Sequence, residues 1–102
     1  MRTSPCDSGT RAGRRQKMTQ FAAAADFILD FADEVGDAYV TLCVHAGIAA
    51  ADVICCTRLG EIAQGENHNE AVQLLTRADP SSAKYLQTLL GMKTRAGYSA
   101  AR

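Results

Sequence analysis

Tryptophan is absent from this 102-residue chain, proline occurs twice and aromatic residues make up only 6%. A core built on ring stacking is therefore excluded, and Ala, Leu, Ile and Val must supply it. Hydrophobic residues at 47% against 22% charged exclude a disordered low-complexity chain and favour one small folded domain. No stretch alternates apolar and polar residues for long, so no sheet is expected. Neither an apolar run of about eighteen residues nor a signal-peptide core stands out, which predicts a cytoplasmic protein without a membrane segment. CxxC, HExxH and phosphate-cradling glycine motifs are missing too, so neither a metal nor a cofactor is expected.

The formal charge is zero, but it is unevenly spread. Five of the eleven bases (Arg2, Arg11, Arg14, Arg15, Lys17) and one of the eleven acids (Asp7) precede Met18, leaving six bases and ten acids beyond it. Mixed with Gly, Ser, Thr and Pro, residues 1–17 read as a disordered basic tail, with Met18 as an alternative start; residues 18–102 read as the folded domain. Such a tail suits nucleic-acid attachment. The four cysteines do not make a disulfide framework by their number alone. Three of them (Cys43, Cys55, Cys56) fall in one expected helix, where they read as small buried hydrophobes.

Helical spacing organises the rest. Phe21, Ala25, Ile28, Ala32 and Val35 define a first helix from about Thr19 to Val35. Asp26, Asp30, Asp33 and Asp37 form an acidic stripe on its other side, and Gly36 and Asp37 mark its end and the next cap. A second helix from about Ala38 to Leu59 is apolar almost all round, which marks a central element. Its centre, Ala46 to Ala51, has little side-chain bulk, and Gly47 predicts a close helix approach. Gly60 stops it. Asn67 and Glu70 form a capping-box-like start to a third helix bearing Ala71, Leu74, Leu75 and Ala78. Asp79 and Pro80 open a fourth, which carries Ala83, Leu86, Leu89 and Leu90. The expected fold class is all-α, an antiparallel up-down bundle of about four helices.

Polar residues interrupt the central helix. Thr41, His45, Asp52 and Cys56 fall on one stripe, with Ala49 between. His45 and Asp52 lie two turns apart, roughly 10 Å along the axis, too far to bond each other. Each needs a partner from another helix, and His68, Lys84, Tyr85, Lys93, Arg95 and Tyr98 are the candidates. The structural expectation is that His45 fixes register and Asp52 pairs with a base. The functional expectation is that the stripe faces a cleft where His45 titrates near neutral pH. Asp52 and Cys56 have the spacing to share an ion, but His45 is a turn too far away to join them, so no metal site is expected.

"LLGMKTRAGYSA" (Leu89 to Ala100) and "HAGIAAA" (His45 to Ala51) together resemble segments of small bacterial HEPN-type proteins. In that family an alanine-rich second helix precedes a glycine-containing loop, and a later helix carries an R-x-x-A-D-Y pattern. Gly65, His68, Leu74 and Leu75 echo the intervening helix start, so the resemblance runs from about Ala38 to Tyr98. It implies an all-helical, frequently dimeric protein that works beside a partner such as a minimal nucleotidyltransferase, in toxin–antitoxin or nucleotide-modifying systems. Catalytic relatives are metal-independent endoribonucleases with an Arg followed a few residues later by His. Here Arg58 and His68 are more widely spaced, Arg77 and Arg95 have no downstream His, and Gly97 replaces an acid. The chain also stops roughly where the family's last helix begins, which implies exposed apolar surface. The resemblance thus implies a non-catalytic module that dimerises or binds a partner, with His45, Asp52, Arg95 and Tyr98 as a polar cluster open to RNA or a nucleotide. If it catalyses anything, His45, His68, Arg58 and Arg95 are the residues implied.

Overall fold

The computed structural model describes residues 1–65 and 67–98, with side chains placed through residue 92. Among the described residues the chain is mostly helical. A strand β1 (Thr3–Pro5) leads into helix α1 (Ser8–Ile28), a single 3-10 turn (Leu29–Phe31) and helix α2 (Ala32–Leu59). Strand β2 (Glu61–Ala63) then leads to α3 (His68–Ala78) and α4 (Pro80–Tyr98).

The expected disorder before Met18 is not what forms. Asp7 caps α1 through its carboxylate, which accepts from the Thr10 amide at 2.8 Å. The Arg, Gln and Lys residues that read as a solvated tail are also good helix formers. Composition could not show that α2 offers this helix a surface to lie on. The expected absence of a sheet is also corrected. β1 pairs antiparallel with β2, Thr3 opposite Ala63 and Pro5 opposite Glu61, and the Cys6 amide donates to the Gly60 carbonyl at 3.0 Å. Three-residue strands are too short to show an alternating pattern.

The break between the first two helices falls earlier than Gly36. The chain leaves helical geometry at Ile28 (φ −98°, ψ 2°) and Phe31 (φ −107°, ψ 13°), with a last distortion at Val35 (φ −125°, ψ 37°). These bends fold α1 back along α2. Thr3 with Ala63, Arg14 with Asp52 and Phe21 with His45 are all placed symmetrically about Asp33. One antiparallel register therefore runs through the whole hairpin.

The remaining elements follow their local signals. Gly60 ends α2 with φ 71°, a conformation that glycine adopts without steric cost, and turns the chain toward β1. The Asn67 side chain caps α3 by accepting from the Asn69 amide at 2.9 Å. Asp79 opens α4 by accepting from the Ser82 hydroxyl at 2.8 Å. Ala71, Leu74, Leu75, Ala83 and Leu86 close over Ala51 and Cys55 as the main buried cluster. Gly47 lets α4 approach: a Cβ there would stand 3.1 Å from Leu89 Cδ1.

The helical stretch Ser8–Leu59 contains an 18-residue window of mean hydropathy 1.8, one third of it buried. By length and composition it is able to cross a membrane, which corrects the expectation of no such run. In this fold α1, α3 and α4 all pack against α2.

Candidate functional site

The polar stripe on α2 is where α1 lies. Read along the helix, three of its members meet a residue from the other arm of the hairpin. His45 stacks on Phe21, ring centroids 5.0 Å apart and planes 25° apart. Asp52 pairs with Arg14, Nε to Oδ2 at 3.3 Å. Cys56 is joined to Cys6 by a disulfide, with Cα atoms 5.4 Å apart. Ala49, between them, is buried. Thr41 satisfies itself locally by donating to the Asp37 carbonyl at 2.9 Å.

Two expectations are corrected here. The cation at Asp52 comes from the segment read as a tail, because the hairpin register sets Arg14 level with it. Cys56 is half of a disulfide rather than a small hydrophobe; Cys43 and Cys55 carry free thiols. Arg14 and Cys6 were missed, although a signal existed. Arg14 and Phe21 are separated by the same number of residues as His45 and Asp52, so an antiparallel pair of helices matches both at once.

Asp52 is the buried charged residue of this seam, 6% exposed. Burial pushes its carboxyl up to about 6, against the opposing attraction of Arg14. Arg14 keeps 38% of its side chain in solvent, so it neutralises the carboxylate only in part. Burial, Asp52 and Glu61 together push the neighbouring Cys55 thiol up to about 11, which leaves it unreactive at neutral pH.

On one side the pair opens into a cleft of about 570 Å³, lined by Arg14, Ile48, Asp52, Gln64, His68 and Ala71 among others. α1 contributes the guanidinium, α2 the carboxylate, and the first turn of α3 the imidazole. This is the place in the described structure where a carboxyl that titrates near neutrality, an arginine and a histidine share one cavity. Such a set can hold a polar or anionic group and exchange a proton with it.

The other candidates lie elsewhere. His45 is exposed, on the rim of the α1–α2 contact. Arg58 donates to the Ala78 carbonyl at 3.0 Å and stands 3.6 Å from Asp79. It ties the end of α2 to the α3–α4 joint, at the opposite end of α3 from His68. Hydrogen bonds from Ser82, with Arg58 contributing less, hold the Asp79 carboxyl below its usual range. The side chains of Arg95 and Tyr98 lie outside the described residues. Among the described residues, no three His, Cys, Asp or Glu side chains gather as metal ligands. Compared with known proteins, the chain matches no family model, no curated protein and no solved structure.

Proposed function

We propose that the chain is a non-catalytic interaction module of the HEPN-like kind, built as an antiparallel helical bundle. In this reading it dimerises, or binds a protein such as a minimal nucleotidyltransferase, in the cytoplasm. One observation carries it. Phe27, Leu29, Phe31 and Val35, four large apolar side chains from one short stretch, are each exposed where α1 turns into α2, with Phe27 84% exposed. A monomer of this size gains nothing from leaving them in water. Asp26, Asp30, Asp33 and Glu34 are interspersed with them in the same stretch and favour a partner surface that is apolar with basic edges. Light scattering on the purified chain, alone and mixed with the nucleotidyltransferase, tests the reading. A complex that is lost in Phe31→Asp supports it; one that survives this change places the contact elsewhere.

The disulfide bears on location. Cytoplasmic reductants keep most such pairs as thiols, so a Cys6–Cys56 bond found in protein trapped with a thiol-blocking reagent argues for an oxidising compartment.

A second reading is a metal-independent endoribonuclease, favoured by Arg14, Asp52 and His68 sharing one cleft. His68 would move the proton and the guanidinium would hold the phosphate. RNA cleavage in EDTA that disappears in His68→Ala supports this reading, and inert protein removes it. Attachment to nucleic acid through the Arg-rich residues before Met18 would now be made by a helix rather than a loose tail, with Arg14 already engaged.

A further inference from the structure

We infer that the partner for the outer side of α1 is a second copy of α1, running antiparallel about a two-fold axis at Gln20. This rests on the interaction-module reading and gives it a surface, a partner and a register.

Among the described residues α1 packs mainly on α2, through Arg14, Phe21 and Ala25, and leaves Gly13, Gln20 and Phe27 exposed. On an uncovered side, Gly13, Gln20 and Phe27 recur at heptad spacing and form one stripe. At one end of the stripe Phe27 projects into water, 84% exposed. At the other end lies a shallow depression of about 560 Å³, lined by Thr10, Gly13, Lys17 and Gln20. Gly13 faces open space there, since a Cβ added to it would meet nothing within 4 Å. A two-fold at Gln20 brings Phe27 of each copy level with Gly13 of the other, a knob set against a hole.

The charges agree with that direction. The first half of α1 carries Arg11, Arg14, Arg15 and Lys17, and the stretch from its second half to the turn carries Asp26, Asp30, Asp33 and Glu34. Parallel copies would set like charges side by side. Antiparallel copies place Asp26, the acid in the second half of α1, near Arg14 and Arg15 of the second copy. The contact is isologous and closes on itself, so it yields a dimer rather than a filament.

The test is sedimentation equilibrium of the full chain across a concentration series, with an apolar-surface dye assay alongside. The wild type should reach twice its 10.9 kDa mass, and added salt should weaken the association. Phe27→Asp and Gly13→Leu should each raise the dimer dissociation constant by about tenfold or more, with circular dichroism confirming the fold. Gln20→Cys should give a covalent dimer on mild oxidation that the wild type does not give, because the two Gln20 side chains meet at the axis. A dimer indifferent to Phe27→Asp and Gly13→Leu, or a Gln20→Cys variant that does not cross-link, overturns this interface. A monomer that binds the dye, and loses it in Phe27→Asp, overturns the dimer but leaves the interaction surface standing. A monomer that binds no dye overturns both.

Discussion

The two ends of the α1–α2 hairpin are built differently. At the open end, where the chain enters and leaves, the strands pair, Cys6 is bonded to Cys56, Arg14 meets Asp52, and α3 and α4 seal the far side of α2. At the turn, Ile28, Phe31 and Val35 leave helical geometry and large apolar side chains stand in water. Hydrophobicity alone ranks the two ends the other way, since glycines and arginines crowd the first and apolar residues the second. Long-range ties decide the matter. The polar, sequence-distant contacts anchor the molecule, and the apolar turn is left to meet something else.

The contrast is broken most strongly at the disulfide. It closes a loop of 50 residues, and a cross-link over that length contributes about 4 kcal/mol by restricting the unfolded chain. Urea denaturation with and without reductant should differ by about that much, and Cys6→Ser should match the reduced protein. Equal midpoints would show that the bond does not form in solution. Next comes a pair of truncations. Leu74 is fully buried, so Leu74→Ala should cost about 3 kcal/mol. Phe31→Ala at the turn should change monomer stability by less than about 0.5 kcal/mol. A comparable loss at both sites would mean that the turn is packed after all.

The third prediction concerns pH. The Asp52 carboxyl titrates near 6 in the fold against 3.8 for the free group, so the folded chain holds this proton more tightly than the unfolded chain does. Its contribution favours the fold at low pH and is lost as pH rises between those two values, by about 2–3 kcal/mol. Asp52→Asn should flatten that part of the stability curve. A curve that instead rises through this range would mean that the Arg14 attraction outweighs burial. The smallest effect separates two glycines. A Cβ at Gly36 meets nothing within 4 Å, so Gly36→Ala should add about 0.5–1 kcal/mol. Gly47→Ala should gain less, because the new methyl crowds Leu89.

The stop at Gly60, the caps at Asn67 and Asp79, and the apolar faces of α3 and α4 were legible because each signal lies within a few residues of its effect. So was the close approach at Gly47, since a helix with so little bulk has few other uses. The polar stripe on α2 was legible as a stripe, and so was its need for partners. Its partners were not. They sit in residues whose composition suggests a solvated tail, and only the reversal near Asp33 sets them level with the stripe.

By itself the sequence determined that this chain is helical, where three of its helices begin or end, and that Asp52 on the central helix needs a partner; the tertiary structure left His45, expected to be buried, exposed. Propensity, capping and periodicity are short-range and act before any fold exists. The tertiary structure alone decided that residues before Met18 form a strand and a helix, that Arg14 answers Asp52, that Cys6 joins Cys56, and that His68 enters their cleft. Those choices depend on the register between segments far apart in sequence, and register is set by how surfaces pack once the chain has turned back on itself.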